Sequence, residues 1–428
     1  MHILVKGTLI LTLSGFLTKI IGFIYRIFLS HTIGAQGMGI YQLIFPVQAL
    51  CFALTVGGIQ TAISRLVAAK AALEEEQSSR DIFLISTFLS VFTAILVSFF
   101  LYRHASWFAL HILLEESCTP LLKIMALSLP MGAFHACVNG YYFARKKLSV
   151  PAAAQLLEQL ARVGASYLVF LIWTDQGIPV TPLLAAVGLL SGELGAMVFS
   201  GLVIFRDYTK AHYQIRHMFS PFSDFKSVVC LSFPLTCNRL LVNLLHSIES
   251  VLIPGHLRLY GLDNASALSV YGVLTGMALP LIFFPCAITN AVSTVLLPSV
   301  AESQAVGNHQ NIRKSIFLSV KCCLALGFSF TVFFYFFGDF LGLLLFQNEF
   351  AGTFIKTLSF ICPCLYLSGT LGGILNGLGA VNQTLLLNVI GLGVRLLFVF
   401  GIMGYLWGLI VSELLVTILS LFFLKSYF

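Results

Sequence analysis

The chain has 428 residues, of which 58% are hydrophobic and only 10% charged, and its formal net charge is +7. A soluble domain carries about 45–50% apolar and about 25% charged residues, so this composition excludes a soluble globular protein and points to many membrane spans. The basic residues are scattered rather than clustered, which fits cytoplasmic loops and gives no nucleic-acid partner.

Apolar runs of about 20 residues, parted by polar or Pro/Gly breaks, predict twelve transmembrane helices. They fall at roughly 7–29, 39–66, 82–102, 121–143, 150–173, 180–205, 228–253, 267–297, 315–337, 353–378, 384–401 and 404–425. The first run holds Lys19 and Arg26 and lacks an A-x-A-like exit, so it reads as a span and not as a cleavable signal. The stretch 339–347 is too short to span alone. Glu74, Glu75 and Glu76 sit in a predicted cytoplasmic loop as a solvated face. The connection 206–227 mixes Arg, Lys, His, Tyr and Phe, and is expected to lie along the inner membrane surface.

Basic residues outside the spans number 14 at the N-terminus, the even-numbered loops and the C-terminal end, against 4 in the odd-numbered loops. The positive-inside rule then places both termini in the cytoplasm, in agreement with an even span count. The expected fold is an all-α polytopic membrane protein of two pseudo-symmetric six-helix lobes around a central cleft. The N-terminal lobe is 1–205, the inter-lobe linker 206–227 and the C-terminal lobe 228–428.

A repeated polar punctuation supports the duplication. Asn139-Gly140, Arg162 and Gly192-Glu193-Leu194 recur in order as Asn376-Gly377, Arg395 and Ser412-Glu413-Leu414. Gly39-Ile40-Tyr41 likewise resembles Ser269-Val270-Tyr271, and Ala62-Ile63-Ser64 resembles Ala291-Val292-Ser293. Six spans in each half make these parallel repeats, related by an axis along the membrane normal.

Charges inside spans cost about 2.5–3.5 kcal/mol each on a lenient scale, so each needs a partner, a wet cavity or a snorkelling route. Arg162 lies about 12 residues, roughly 18 Å, from the cytoplasmic start of its helix, and Glu193 lies as far from the cytoplasmic end of the next. Arg395 and Glu413 repeat this placement. Equal depth favours a buried ion pair bracing each lobe over a coupling carboxylate, with Glu158 a competing partner for Arg162 one turn away.

The first helix of each half carries a net-basic stripe. Thr12, Lys19 and Arg26 recur every seven residues, and Arg239, Asn243, His246 and Ser250 share one face of the seventh span, with Glu249 at its outer end. Such stripes face water or an anionic ligand. Arg65 reads as an anchor at the inner surface. The Pro residues at 46, 130, 234, 280, 285 and 363 mark kinks. The ten Cys lack metal-ligand spacing, no phosphate-binding Gly loop or catalytic dyad is present, and neither enzyme activity nor a cofactor or metal is expected.

The stretches Gly7–Gly15, Gly22-Phe-Ile-Tyr-Arg26, Gly34-Ala-Gln-Gly-Met-Gly-Ile-Tyr-Gln-Leu43 and Gln155-Leu-Leu-Glu-Gln-Leu-Ala-Arg162 resemble the stage V sporulation protein B-like group of polysaccharide-biosynthesis flippases. Its superfamily includes lipid II flippases, O-antigen flippases and multidrug and toxin extrusion transporters. The resemblance implies alternating access between inward-open and outward-open forms in a bacterial cytoplasmic membrane. It implies a polyprenyl-diphosphate-linked sugar as substrate, bound at the head group by Lys19, Arg26, Arg239 and Asn243. Thr12, Arg65, His246 and Glu249 would contribute to the cleft or to coupling, whether driven by Na, H or membrane potential. It further implies a monomer among membrane lipids, served by cell-wall synthesis enzymes. Sporulation-type and lipid II-type members carry two further spans after the twelfth; here the twelfth is followed by Lys425-Ser-Tyr-Phe428. The alternative is a cation-coupled multidrug and toxin extrusion antiporter, which needs an acidic substrate site; a non-transporting paralogue is a third reading.

Overall fold

The structure, a computed structural model, describes residues 2–210, 221–289, 309–378 and 380–425. Every regular element among them is helical. The first, α1 (His2–Phe52), passes through a single non-helical residue, Gly34, at φ 68° and ψ −178°. That region is essentially reserved for glycine. A π-turn (Ala53–Gly57) then leads into α2 (Gly58–Ala72). The first two predicted spans therefore share one helical run, broken where the chain has a residue able to break it.

There follow α3 (Glu76–Trp107), α4 (Cys118–Ala144), α5 (Ser149–Asp175), α6 (Leu183–Lys210) and α7 (Pro221–Leu259). Beyond them come α8 (Asn264–Gly272), a second π-turn (Val273–Ala278), α9 (Leu279–Phe283), α10 (His309–Phe346), α11 (Glu349–Ser359), α12 (Cys362–Gly377), α13 (Val381–Leu397) and α14 (Ile402–Lys425). Nine helices among the described residues are long and apolar enough to cross a membrane, or ten if α11 and α12, bent by 61°, count as one. The twelve sequence segments map onto these helices in order: two lie on the run through Gly34, and the eleventh is the shorter α13. Residues 290–297 of the eighth segment, with Ala291-Val292-Ser293, and residues 211–220 of the inter-lobe connection lie outside the described residues.

Residues 339–346 of the stretch too short to span alone form the end of the 38-residue α10. There its bare glycine face packs closely on α11. A Cβ on Gly342 would fall 2.3 Å from Gly352 N, so α10 continues to its end flush against α11. The Glu74–Glu76 face stays about half exposed, but it is also paired. Glu75 lies 2.7 Å from Lys70, and Glu76 meets Arg145.

The chain packs as two compact units. One contains Met1–Tyr25 and Leu43–Ser247, the other Arg26–Gln42 and Ile248–Phe428. In the first, Ile59, Ile63 and Val67 of α2, Phe83 of α3 and Tyr141 and Tyr142 of α4 share a core with Val228 of α7. In the second, Leu367, Leu371, Ile374 and Leu375 of α12 pack with Leu387 of α13 and Leu424 of α14. The repeat-related Gly39 and Ser269 regions meet within this unit. A Cβ on Gly39 would fall 2.1 Å from Leu268 O, and one on Gly272 would fall 2.4 Å from Gly39 N. The two units differ from the two lobes expected from the repeat: the first runs on to Ser247, and the short stretch 26–42 belongs with the second.

Candidate functional site

In the first unit a glycine seam lets α6 lie close on α5. Cβ atoms on Gly188 and Gly192 would fall 2.0 Å from Ser166 Oγ and 2.9 Å from Glu158 O. Small residues at this spacing are the usual means of close helix approach in a bilayer. The seam is sealed from α1 by Tyr25, whose hydroxyl shares a 2.7 Å hydrogen bond with Ser166. Along it, Arg162 pairs with Glu158 one turn earlier on α5. Glu193, buried on α6, faces His135 of α4, with Oε2 3.1 Å from Nδ1.

Arg162 thus meets Glu158, the competing partner one turn away, and Glu193 has in His135 a partner that equal depth does not suggest. The i,i+4 partner is always within reach on one helix, and it takes the guanidinium. Asn139, one turn beyond His135, has its Oδ1 buried with no hydrogen-bond partner.

The second unit does build the expected brace. Arg395 Nη2 of α13 lies 2.5 Å from Glu413 Oε1 of α14, and its Nε donates to Ser412 Oγ at 2.9 Å. Ser368 Oγ of α12 donates to the other Glu413 oxygen at 2.9 Å. Glu249 joins this cluster, although the α7 stripe had suggested a place at its outer end. It is 5% exposed, lies 3.9 Å from Arg395 Nη1, and accepts from the Tyr405 hydroxyl at 3.0 Å. Each of these two clusters thus contains one arginine and two glutamates. In the first, the second carboxylate comes from the arginine's own helix; in the second, it comes from α7.

The basic stripe of α7 docks on the α1–α2 run. Asn243 Nδ2 donates to Ala49 O and Ser247 Oγ to Pro46 O, both at 3.1 Å, while Arg239 Nη2 donates to Thr61 Oγ1 at 3.1 Å. Arg239 stays exposed, with its stem against the bare face of Gly57, where a Cβ would fall 3.0 Å from its Cδ. His246 is exposed. Lys19 and Arg65 are exposed as well, whereas Thr12 and Arg26 are half-buried. Lys19 and Thr12 belong to the first unit and Arg26 to the second. His135 and Tyr405 escaped the sequence reading. His135 could have been found, because it shares a helix face with Asn139, which the repeat had already marked. Tyr405 carries no comparable signal.

Long apolar helices with paired charges define a polytopic membrane protein. Residues 4–304 match the family described as polysaccharide biosynthesis protein, and the chain belongs to that family. Residues 240–400 also match the MatE family. The chain is 28% identical over 427 residues to stage V sporulation protein B of Bacillus subtilis, covering 97% of this chain and 82% of that one. It is 21% identical over 353 residues to the lipid II flippase MurJ of the same organism, covering 76% of this chain and 62% of that one. The fold matches the inward-facing conformation of a multidrug resistance MATE family transporter of the MOP superfamily with a TM-score of 0.77, at 15% identity, covering 96% and 95% of the two chains. The chain is a multi-pass protein of the bacterial cytoplasmic membrane, a member of the polysaccharide biosynthesis protein family with the fold of these transporters.

Proposed function

We propose that this chain moves a polyprenyl-diphosphate-linked oligosaccharide, the peptidoglycan precursor among them, across the cytoplasmic membrane by alternating access. Both termini would then be cytoplasmic, and the monomer would serve cell-wall or polysaccharide synthesis enzymes. One observation carries the reading. All four carboxylates expected within spans are engaged by Arg or His inside a unit, whereas Lys19 and Arg239 remain exposed on the two basic stripes. A membrane surface left with cationic, hydrogen-bonding groups suits a diphosphate head group. A cationic drug would need the opposite polarity. Lys19, Arg26, Arg239 and Asn243 are the head-group residues on this reading.

The test is flipping of labelled lipid II in proteoliposomes, run beside cation-driven dye efflux. Lipid II flipping that collapses in Arg26→Ala/Arg239→Ala supports the assignment. Full activity of that double variant at normal expression sinks it, and dye efflux without flipping favours the antiporter.

A further inference from the structure

The charge count of the first unit leaves one place open. Glu158, Arg162 and Glu193 sum to a single negative charge while His135 is neutral, and the group lies within apolar helices. One proton brings it to neutrality. His135 Nδ1 and Glu193 Oε2 stand 3.1 Å apart, yet neither atom makes a well-directed hydrogen bond, so a proton placed between them gains a partner on both sides. The groups facing this pair are accounted for from each neighbouring helix. From α5 come Glu158 and Arg162, already paired with each other. From α3 comes Ala94, clustered with Ala133 and Ala136 of α4, and α4 itself adds the buried Oδ1 of Asn139. From α1 comes the Phe52 ring, packed with Val56, Ala94, Ala133 and Ala136.

Phe52 links this pair to the rest of the unit. A Cβ on Gly132 would fall 2.4 Å from Phe52 Cζ and 3.0 Å from Glu193 Oε2, so ring and carboxylate meet on the bare face of that glycine. Phe52 is also the last residue before the π-turn 53–57, whose final residue, Gly57, receives the stem of Arg239. π-turns are a recurrent place for a helix to change register.

We propose that His135 and Glu193 form a reversible proton-binding site, and that its occupancy sets the position of Phe52 and the π-turn, and through Gly57 that of Arg239. One proton from water binds at Nδ1 of His135 and hydrogen-bonds to Glu193. Its release restores the net negative charge beside the Phe52 ring. The inference deepens the proposed function by giving the Arg239 face a proton-controlled element, but its test does not depend on the substrate.

The test is hydrogen exchange of residues 49–58 in detergent-solubilised protein at about pH 5.5 and about pH 8.5, either side of the usual His value of ~6.5. After correction for intrinsic exchange rates, protection of this segment in the wild type should change by about threefold or more between the two conditions. His135→Gln and Glu193→Gln should abolish the change. Phe52→Leu, which leaves both ionisable groups, should abolish it too, and this variant keeps the test decisive if His135→Gln does not fold. His104→Gln, an exposed histidine at the end of α3, should keep the wild-type response. A pH response that survives in His135→Gln or in Phe52→Leu overturns the proposal, as does a wild type with none. A wild type that flips no lipid II but keeps the pH response would sink the substrate assignment and leave this site standing.

Discussion

Arg395 and Glu413 form a 2.5 Å ion pair between α13 and α14, and the same guanidinium faces a second buried carboxylate, Glu249, at 3.9 Å. A buried pair of this kind is poor evidence of net stabilisation, because desolvation offsets much of the attraction. Removing one member is nevertheless costly. Here removal of the arginine would strand two carboxylates.

Arg395→Met should therefore destabilise the protein by about 3–5 kcal/mol, and Arg395→Met/Glu413→Leu by clearly less. Thermal or denaturant unfolding in detergent checks the order. A single variant as stable as the double would show that the pair does not brace the second unit.

Gly34 offers a test of backbone conformation alone. No atom lies within 4 Å of a Cβ built there, yet its φ is +68°. Gly34→Ala meets no neighbour, and should still cost about 1–3 kcal/mol, because an L residue is strained at that conformation. Unfolding free energies, with Gly15→Ala as the comparison, separate this from a general intolerance of side chains. Gly15 is equally unobstructed but has no positive φ.

Gly188 tests the opposite limit. It must remain bare because a Cβ would lie 2.0 Å from Ser166 Oγ and 2.9 Å from Tyr25 Oη. Gly188→Val should force α5 and α6 apart and lower stability by about 1–3 kcal/mol through overpacking. Adding Ser166→Gly should recover part of the loss. Absence of any recovery would show that the seam is not where the strain arises.

Asp263 caps α8, accepting from Ser266 N at 3.3 Å, and this bonding holds its carboxyl below the usual range. A depressed carboxylate contributes its stabilisation above the unfolded value of ~3.9 and loses it as pH falls through the lower folded value. Exchange protection at the start of α8 should fall over that acidic window. In Asp263→Asn, which cannot titrate, it should not follow pH.

How much was legible in the sequence depended on the kind of signal. Among the described residues hydrophobic run length located the long helices, because burial in a bilayer demands it. The joining of two spans into one helical run was not legible, because helix propensity says nothing about the angle at Gly34. The Arg395–Glu413 pair was found by depth, and the same arithmetic did not suggest His135 beside Glu193. Depth ranks partners along the bilayer normal only. Glu158 was nearer around the helix, and His135, uncharged in a simple count, was never entered as a partner. Glu249 was misread for a related reason. Its neighbours on α7 point to a polar stripe, while its own contacts come from α13 and α14, over 140 residues later in sequence.

The repeat was legible as a pattern, and the structure adds where two of its copies meet. Gly39 and the Ser269 region approach backbone to backbone, so the small residue in the first copy is a requirement of contact with the second.

That contact bears on how the protein is made. Residues 26–42 leave the ribosome early, but their neighbours at Leu268, Gly272 and Gly276 follow more than 220 residues behind. Met38, fully buried at the end, must wait through the synthesis of five intervening spans. A cysteine placed at position 38 should thus label readily in ribosome-bound chains ending before Leu268 and become protected once α8 and the second π-turn are inserted. The short stretch after Tyr25 acts as a reserved seat, and biogenesis of the second unit is complete only when late-arriving chain returns to fill it.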